Sequence, residues 1–285
     1  MSSQAKAAKP AKPASGEKAL KWILGITLAV GGILVILPFI WMILSSFKHE
    51  GEIQNIPPTL WPERFTTENF KNLFENLNFG VYLKNTFIIV LFSFFGLFLN
   101  AMAGFGFAKY KFKAKDKLFY LVLATMMIPG QVTMIPVYLI LNEMQLTNTM
   151  IGVVLPGLVG AFGIFLFRQF MSTIPDELLE ATRLDGAGEF RTFLQIVLPI
   201  SKPILAVQGI LAFIGGWNSF LWPLIIANDE KLYTLSVGLS LLKGQYGGNY
   251  ALQMAGSTFM VVPIIIIFIF FQKHIIENYS ISGMK

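Results

Sequence analysis

The residues equipped for chemistry sit in one charged run, Asp176-Glu177-Leu178-Leu179-Glu180-Ala181-Thr182-Arg183-Leu184-Asp185-Gly186-Ala187-Gly188. Long hydrophobic stretches flank it on both sides. The chemistry on offer there is recognition rather than bond making. The chain contains no cysteine, which excludes a thiolate nucleophile, a disulfide and a Cys-based metal site. Its two histidines, His49 and His274, lie at the ends of apolar segments and neither has a second histidine at i+4, so no metal site or Ser–His dyad is expected. Thr173 with Asp176 three residues on reads as an N-terminal cap, and Pro175 suits a first helical turn. Gly186 and Gly188 follow about three turns later and favour a stop. The spacing predicts a short capped helix within about residues 175–188, held between two spans on the aqueous side and shaped to fit a groove on another protein. An ordinary solvated loop helix is the competing reading.

The elements that must position this helix are apolar. The chain has 285 residues, 54% hydrophobic and 13% charged, with a mean hydropathy of +0.62. Soluble domains carry about a quarter charged residues, so composition points to an all-α integral membrane protein. The net charge of +6 comes mostly from lysines beside the apolar segments, which fits topology and lipid contact and not nucleic-acid binding. Residues 1–18 form an Ala-, Lys-, Pro- and Ser-rich tail expected to be disordered. Residues 19–285 form the membrane domain.

Six segments can cross a hydrocarbon layer of about 30 Å, which takes about 20 helical residues. They are 20–46, 81–108, 118–141, 150–170, 204–227 and 251–271. Helix is the expected conformation, since each backbone amide in lipid must bond within its own segment. Lys6, Lys9, Lys12 and Lys18 precede the first span. Lys109, Lys111, Lys113, Lys115 and Lys117 follow the second, and Arg183, Arg191 and Lys202 follow the fourth. The positive-inside rule then places both termini and the Glu180 loop in the cytoplasm.

Other stretches carry weaker signals. Phe70, Leu73, Phe74 and Leu77 form a helical stripe, predicted to lie on the outer membrane surface as an interface anchor or as a contact for an external partner. Gly104-x3-Ala108 allows close helix approach, and Pro129 and Pro136 suggest kinks. Arg168, near a span end, can snorkel to the headgroups. Span five carries Gln208, Gly215, Gly216, Trp217, Asn218, Ser219 and Pro223. A cluster of this kind is costly at mid-span unless it faces protein or water. It reads either as interhelical hydrogen bonding or as a pathway lining, with Gln208, Gly216, Trp217 and Asn218 offering stacking and amide bonds suited to a sugar. The last outer loop, 228–250, ends in the glycine-rich Gly244, Gln245, Tyr246, Gly247, Gly248 and Asn249, expected to be flexible.

One pattern is specific. Glu180-Ala181-Thr182, then Gly186, then Ile196-x-Leu198-Pro199 resembles the cytoplasmic loop signature of ABC importer permeases, in which Glu-Ala-Ala, three residues, Gly and nine residues lead to Ile-x-Leu-Pro. Only Thr182 departs, standing where the family has a second alanine. Ser45-Ser46-Phe47-Lys48, Asn85-Thr86, Ile128-Pro129, Arg168-Gln169-Phe170, Leu184-Asp185-Gly186-Ala187, Trp217-Asn218 and Gly283-Met284-Lys285 occur in the same order as in the smaller permease subunit of maltose-type carbohydrate importers.

The resemblance implies a type I ABC importer permease fold of six transmembrane helices in a bacterial or archaeal cell membrane. It implies four kinds of neighbour: a second homologous permease subunit, two ABC ATPase subunits that bind the ATP, an extracytoplasmic sugar-binding protein, and membrane lipids. The chain itself would hold no cofactor and no metal, and would not be an enzyme. Glu180, Ala181, Thr182, Asp185, Gly186, Ala187, Leu198 and Pro199 would couple to the ATPase, and residues 244–249 would contact the binding protein. Glycerol-3-phosphate or another polyol is the rival substrate, although span five offers no cation to a phosphate. An ion-coupled secondary transporter is the rival mechanism, and it lacks the intramembrane carboxylates such proteins carry.

Overall fold

The computed structural model describes residues 15–75, 78–245 and 247–282, and the regular elements of the described residues are all helical, without a strand. Residues 1–14 of the expected tail, Leu77, Tyr246 and the closing Gly283-Met284-Lys285 lie outside them. Helix α1 (Ser15–Ser45) takes in Ser15 to Lys18, which the sequence assigns to the tail. Among the described residues, four stretches are long and apolar enough to cross a membrane. They are Leu20–Ser45 of α1, α4 (Phe79–Lys109), Lys202–Ile226, and Tyr250–Gln272 of α15 (Tyr250–Ser282). The third of these comprises α12 (Lys202–Trp217) and α13 (Leu221–Ile226), with a break at 218–220.

The other two expected spans are not continuous. Segment 118–141 is split into α5 (Lys115–Thr125) and α6 (Gly130–Glu143), bent by 101°. Pro129 stands at the break with ψ 130°. A proline has no N–H to give a preceding turn, and it pushes the residue before it out of the helical region. Segment 150–170 is split into α7 (Met150–Val154), a 3₁₀ turn at Leu155–Gly157 and α8 (Ala161–Met171), bent by 41°. Here Pro156, Gly157 and the extended Gly160 interrupt the ladder. By length and composition the described residues thus hold four candidate spans, or up to six if each bent pair counts as one.

Helix α4 is the axis of the bundle, packing most extensively against α8 and α12. The α8 contact depends on Gly104. A Cβ there would overlap the Phe167 side chain and come within 3.0 Å of the Arg168 amide, so the small-residue spacing does set helix approach. Arg168 is not simply reaching for headgroups. Its guanidinium lies 3.6 Å from the centre of the Phe119 ring and 3.8 Å from Asp116 Oδ1, tying α8 to α5.

At one end of the bundle the connections are built, not loose. After α1, Lys48 is almost wholly buried and donates to the Thr59 carbonyl and, at 3.1 Å, to Thr59 Oγ1. Glu52, in the short α2 (Glu50–Ile53), lies 3.9 Å from the ammonium. Asn69 Nδ2 donates to the Ser46 and Lys48 carbonyls at 2.9 and 2.8 Å. Asn69 belongs to α3 (Glu68–Glu75), the amphipathic helix. The apolar edge of α3 is not laid on a membrane surface as expected, because Leu73 is fully buried in a cluster with Phe79, Tyr82 and Leu252. The stretch 228–250, expected as an outer loop, is folded up to its glycine-rich end. It forms a 3₁₀ turn at Glu230–Leu232 and then α14 (Leu235–Gln245), whose Leu235, Val237 and Leu242 are buried. Asn85 Nδ2 holds the Lys231 and Tyr233 carbonyls at 2.8 and 2.9 Å, and Thr86 Oγ1 accepts the Leu235 amide at 2.9 Å.

Candidate functional site

At the opposite end of α4 the charged run folds as α9 (Asp176–Leu184). A helix of nine residues is unstable alone, so its position is set by anchoring. Leu179 is buried among Phe105, Met171 and Phe193, and burying one leucine contributes roughly 1.5–3 kcal/mol. Lys109, the last residue of α4, has a buried side chain that donates to the Ile174 carbonyl and to Asp176 Oδ1 at 2.6 Å. The hydrogen bond and charge of Lys109 hold the Asp176 carboxyl below its ordinary value. Thr173 is not the cap the spacing suggests. Its hydroxyl donates back to the Phe170 carbonyl at 2.7 Å, and Pro175 occupies the cap position with no side-chain bond.

The helix ends as the glycines require. Gly186 has φ +79°, its amide bonds the Arg183 carbonyl at 3.0 Å, and the Ala187 amide bonds the Thr182 carbonyl at 3.0 Å. These two bonds make a Schellman stop, in which glycine accepts the left-handed conformation without penalty. Beyond it come α10 (Glu189–Thr192), a π-helical turn at Phe193–Val197 and the short α11 (Leu198–Ile200). Glu189 accepts a two-point contact from Arg183, at 2.8 and 3.2 Å, and a bond from the Tyr110 hydroxyl at 2.5 Å. Arg183, first, and Tyr110 keep the Glu189 carboxyl below the usual carboxylate range. Burial, then Glu189, push the Tyr110 phenol up to about 12. Lys109 and Tyr110 thus grip both limbs of the loop.

With that face fixed, the other is open. Glu180, Ala181, Asp185 and Gly186 are exposed. Leu184, which the motif did not single out as a contact, is 89% exposed. Thr182 points inward: its hydroxyl donates to the Leu179 carbonyl at 2.8 Å and lies 3.3 Å from Thr192 Oγ1. The departure from alanine is therefore accommodated inside the loop. Ala187 and Leu198 are half-buried and Pro199 is exposed at the start of α11.

A second feature is a cavity of about 520 Å³ between α4, α6, α7, α8, α12 and α13. Gln208 and Gly216 line it, as do Gly215 and Ser219. Trp217 does not. It is buried on the far side of α12, stacked on Phe213 at 5.5 Å, and its Nε1 donates to the Met260 carbonyl at 2.9 Å. Asn218 caps the end of α12 and is exposed away from the lining. The structure adds Ser93, Asn100 and Trp222, which the sequence reading did not assign to the lining. Asn100 Oδ1 accepts the Gly160 amide at 3.1 Å. Its polarity in a charge-free span is a signal available in the sequence. Gln208 is 5% exposed and its Nε2 has no partner among the described residues, a state that costs about 1–3 kcal/mol when left unmet.

The third expected site is only partly described. Gly244 and Gln245 end α14, Tyr246 lies outside the described residues, and Gly247 and Gly248 turn the chain, Gly248 at φ +108°. Asn249 Oδ1 then accepts the Leu252 amide at 2.9 Å and starts α15.

Comparison with known proteins follows the same lines. Residues 96–279 match the family described as binding-protein-dependent transport system inner membrane component. The chain is 36% identical over 273 residues to the arabinooligosaccharides transport system permease protein AraQ of Halalkalibacterium halodurans, covering 93% of this chain and 97% of that one. It is 30% identical to the diacetylchitobiose uptake system permease protein NgcG of Streptomyces coelicolor, covering 94% and 90%. Among solved structures, a bacterial ABC transporter involved in the import of the acidic polysaccharide alginate matches with a TM-score of 0.81 over 92% of this chain and 99% of that one. At 18% identity this likeness speaks to the fold alone. With the signature loop, the helical architecture and the family match together, the chain belongs to the binding-protein-dependent family of inner membrane permeases that serve ABC importers.

Proposed function

We propose that this permease is one half of the translocation pathway of an ATP-driven importer for neutral oligosaccharides. It is paired with a second homologous permease, driven by two ATPase subunits that bind the ATP, and fed by an extracytoplasmic binding protein. Both termini and α9 face the cytoplasm. The observation that carries this reading is the split character of α9. One face is locked to α4 and the core by Lys109 and Leu179, while Glu180, Ala181, Leu184 and Gly186 stand free. A locked, two-sided element transmits a push in either direction. Closure of the ATPases draws α9 inward and switches the bundle between two packings.

The neutral substrate is supported by the relatives named for arabinooligosaccharides, diacetylchitobiose and lactose. A glycerol-3-phosphate reading also has support, because UgpE of Yersinia pestis is 29% identical over 89% of this chain. Uptake by the importer, assembled with its co-purifying subunits in vesicles, separates the two. The panel is arabinotriose, diacetylchitobiose, lactose and glycerol-3-phosphate. For the coupling role the decisive variant is Leu184→Asp, which should lose ATPase co-purification and ATP-dependent uptake without a change in thermal stability. Full uptake by that variant would sink the coupling assignment.

A further inference from the structure

Helix α12 serves two separate hollows. Gln208, Ala212, Gly215 and Ser219 border the cavity described above, while Lys202, Leu205, Gly209 and Phe213 border a groove of about 330 Å³. Phe94 and Leu97 of α4 contribute to that groove, and so do Ile267 and Phe271 of α15. Its described lining is apolar except at one end, where Lys202 opens α12.

The dimensions of the groove point to its occupant. From Lys202 to Phe213 is eleven residues, about 16 Å along the helix axis. Half of a hydrocarbon layer is about 15 Å deep. The groove thus runs from a headgroup level to the bilayer centre, the depth of one leaflet. It is also narrow. A helix about 10 Å across would need several times 330 Å³ over that length. A neighbouring helix would therefore rest on exposed side chains such as Phe94 and Phe271 and leave the slot unfilled. An extended acyl chain is slender enough to enter. At Gly209 a Cβ would meet only Phe94 and Leu97, at 3.8 and 3.9 Å, so a larger side chain there would take up the middle of the slot.

The charge selects the headgroup. Lys202 is exposed, and its ammonium has no ion pair or hydrogen bond among the described residues. Lys109 and Arg183, at the same end of the bundle, are each matched by a carboxylate. A lysine above an apolar slot can lay its stem along the chain and present its ammonium to a phosphate. Basic pockets between spans on the cytoplasmic side favour anionic lipids. The groove also touches the seat of α9. Leu97 and Leu205 line it and pack against the cluster that buries Leu179, so a chain in the slot backs that cluster.

Resting on the orientation given above, we propose that this groove binds one anionic phospholipid of the cytoplasmic leaflet. An acyl chain fills the slot between α4, α12 and α15, and the phosphate pairs with Lys202.

The test uses the assembled importer in nanodiscs of phosphatidylcholine with a trace of phosphatidylglycerol that carries a photoreactive diazirine on one acyl chain. After illumination, peptide mass spectrometry should place adducts between Leu205 and Phe213. Unlabelled phosphatidylglycerol should compete, and added phosphatidylcholine should not. Lys202→Gln should lower the adduct yield about fivefold, the weight of one lysine against anionic headgroups, and Lys202→Arg should keep it. Gly209→Leu should abolish the adducts. An unchanged yield in Lys202→Gln, or retained adducts in Gly209→Leu, would overturn the site and leave the importer reading standing, since neither measures transport. Loss of the second permease from the Gly209→Leu complex would assign the groove to a subunit contact and overturn the site as well.

Lys202→Cys, in a chain with no cysteine of its own, reports the orientation separately. A membrane-impermeant maleimide should label it in inside-out vesicles and not in intact cells. The reverse would overturn the orientation and the cytoplasmic-leaflet site together.

Discussion

Lys109 closes α4 and Asp176 opens α9, and their charged groups meet at 2.6 Å, so the longest-contacted helix of the bundle and the exposed partner helix share one fixed joint. Because the same ammonium also holds the Ile174 carbonyl, neutralising it frees the whole approach to α9. Lys109→Met is expected to leave subunit assembly intact and to lower uptake per ATP hydrolysed several-fold. Parallel measurement of phosphate release and sugar uptake checks this, and an unchanged ratio would show that the joint carries no force.

The Tyr110–Glu189–Arg183 contact sets a pH signature. The folded state keeps the Tyr110 phenol protonated, with its pKa raised from 10.0 to about 12. Its stabilisation is therefore complete below 10 and lost as pH rises through about 12. Glu189 has the opposite sign. Its lowered carboxyl contributes above the ordinary range, and the contribution is lost as pH falls through the folded-state value. A phenolate absorbance titration of wild type minus Tyr110→Phe should show one tyrosine ionising near 12. Glu189→Gln should move it down without restoring the ordinary value, because burial is the larger cause and remains.

Gly104→Ala should be costly despite the small change. The added methyl meets the Phe167 Cβ and the α8 backbone, which cannot swing away. Overpacking of this kind costs about 1–3 kcal/mol. Thermal unfolding in detergent should show a lowered midpoint, whereas Gly106→Ala, which meets nothing within 4 Å, should be neutral or better.

Trp217→Phe separates structure from transport. It removes the indole bond to Met260 and leaves a small void beside Phe213, at a cost of about 1–2 kcal/mol. Stability should fall while substrate preference across the panel stays unchanged. A changed preference would place Trp217 in the pathway after all.

The parts of this architecture that could be read from the chain are those decided within one or two turns. Gly186 stops α9 because only local backbone conformation is at stake, and Gly104-x3-Ala108 marks a helix contact because spacing alone puts both residues on one face. Of the two readings open for Trp217, the structure shows the interhelical hydrogen bond, and its spacing from Gln208 fits that. Nine residues from Gln208 is about 180° around a helix, so the two cannot share a wall. The Thr173 cap failed because its hydroxyl had a nearer partner, the Phe170 carbonyl. The 101° turn between α5 and α6 and the burial of α14 were not legible. A proline or glycine announces an interruption, but the angle and the packing that follow are set by residues distant in sequence, such as Asn85 and Thr86 holding the start of α14.

Helix α1 is attached to the rest very unevenly. Its residues 20–40 are exposed along their whole length, while Ser45, Ser46 and Lys48 are buried at the foot, and Glu50 Oε2 clasps the Ala251 amide of α15 at 2.6 Å. It is a mast stepped at a single deck. Among the described residues the base alone fixes its direction, and the bare length above it offers its apolar sides to lipid or to a neighbouring subunit.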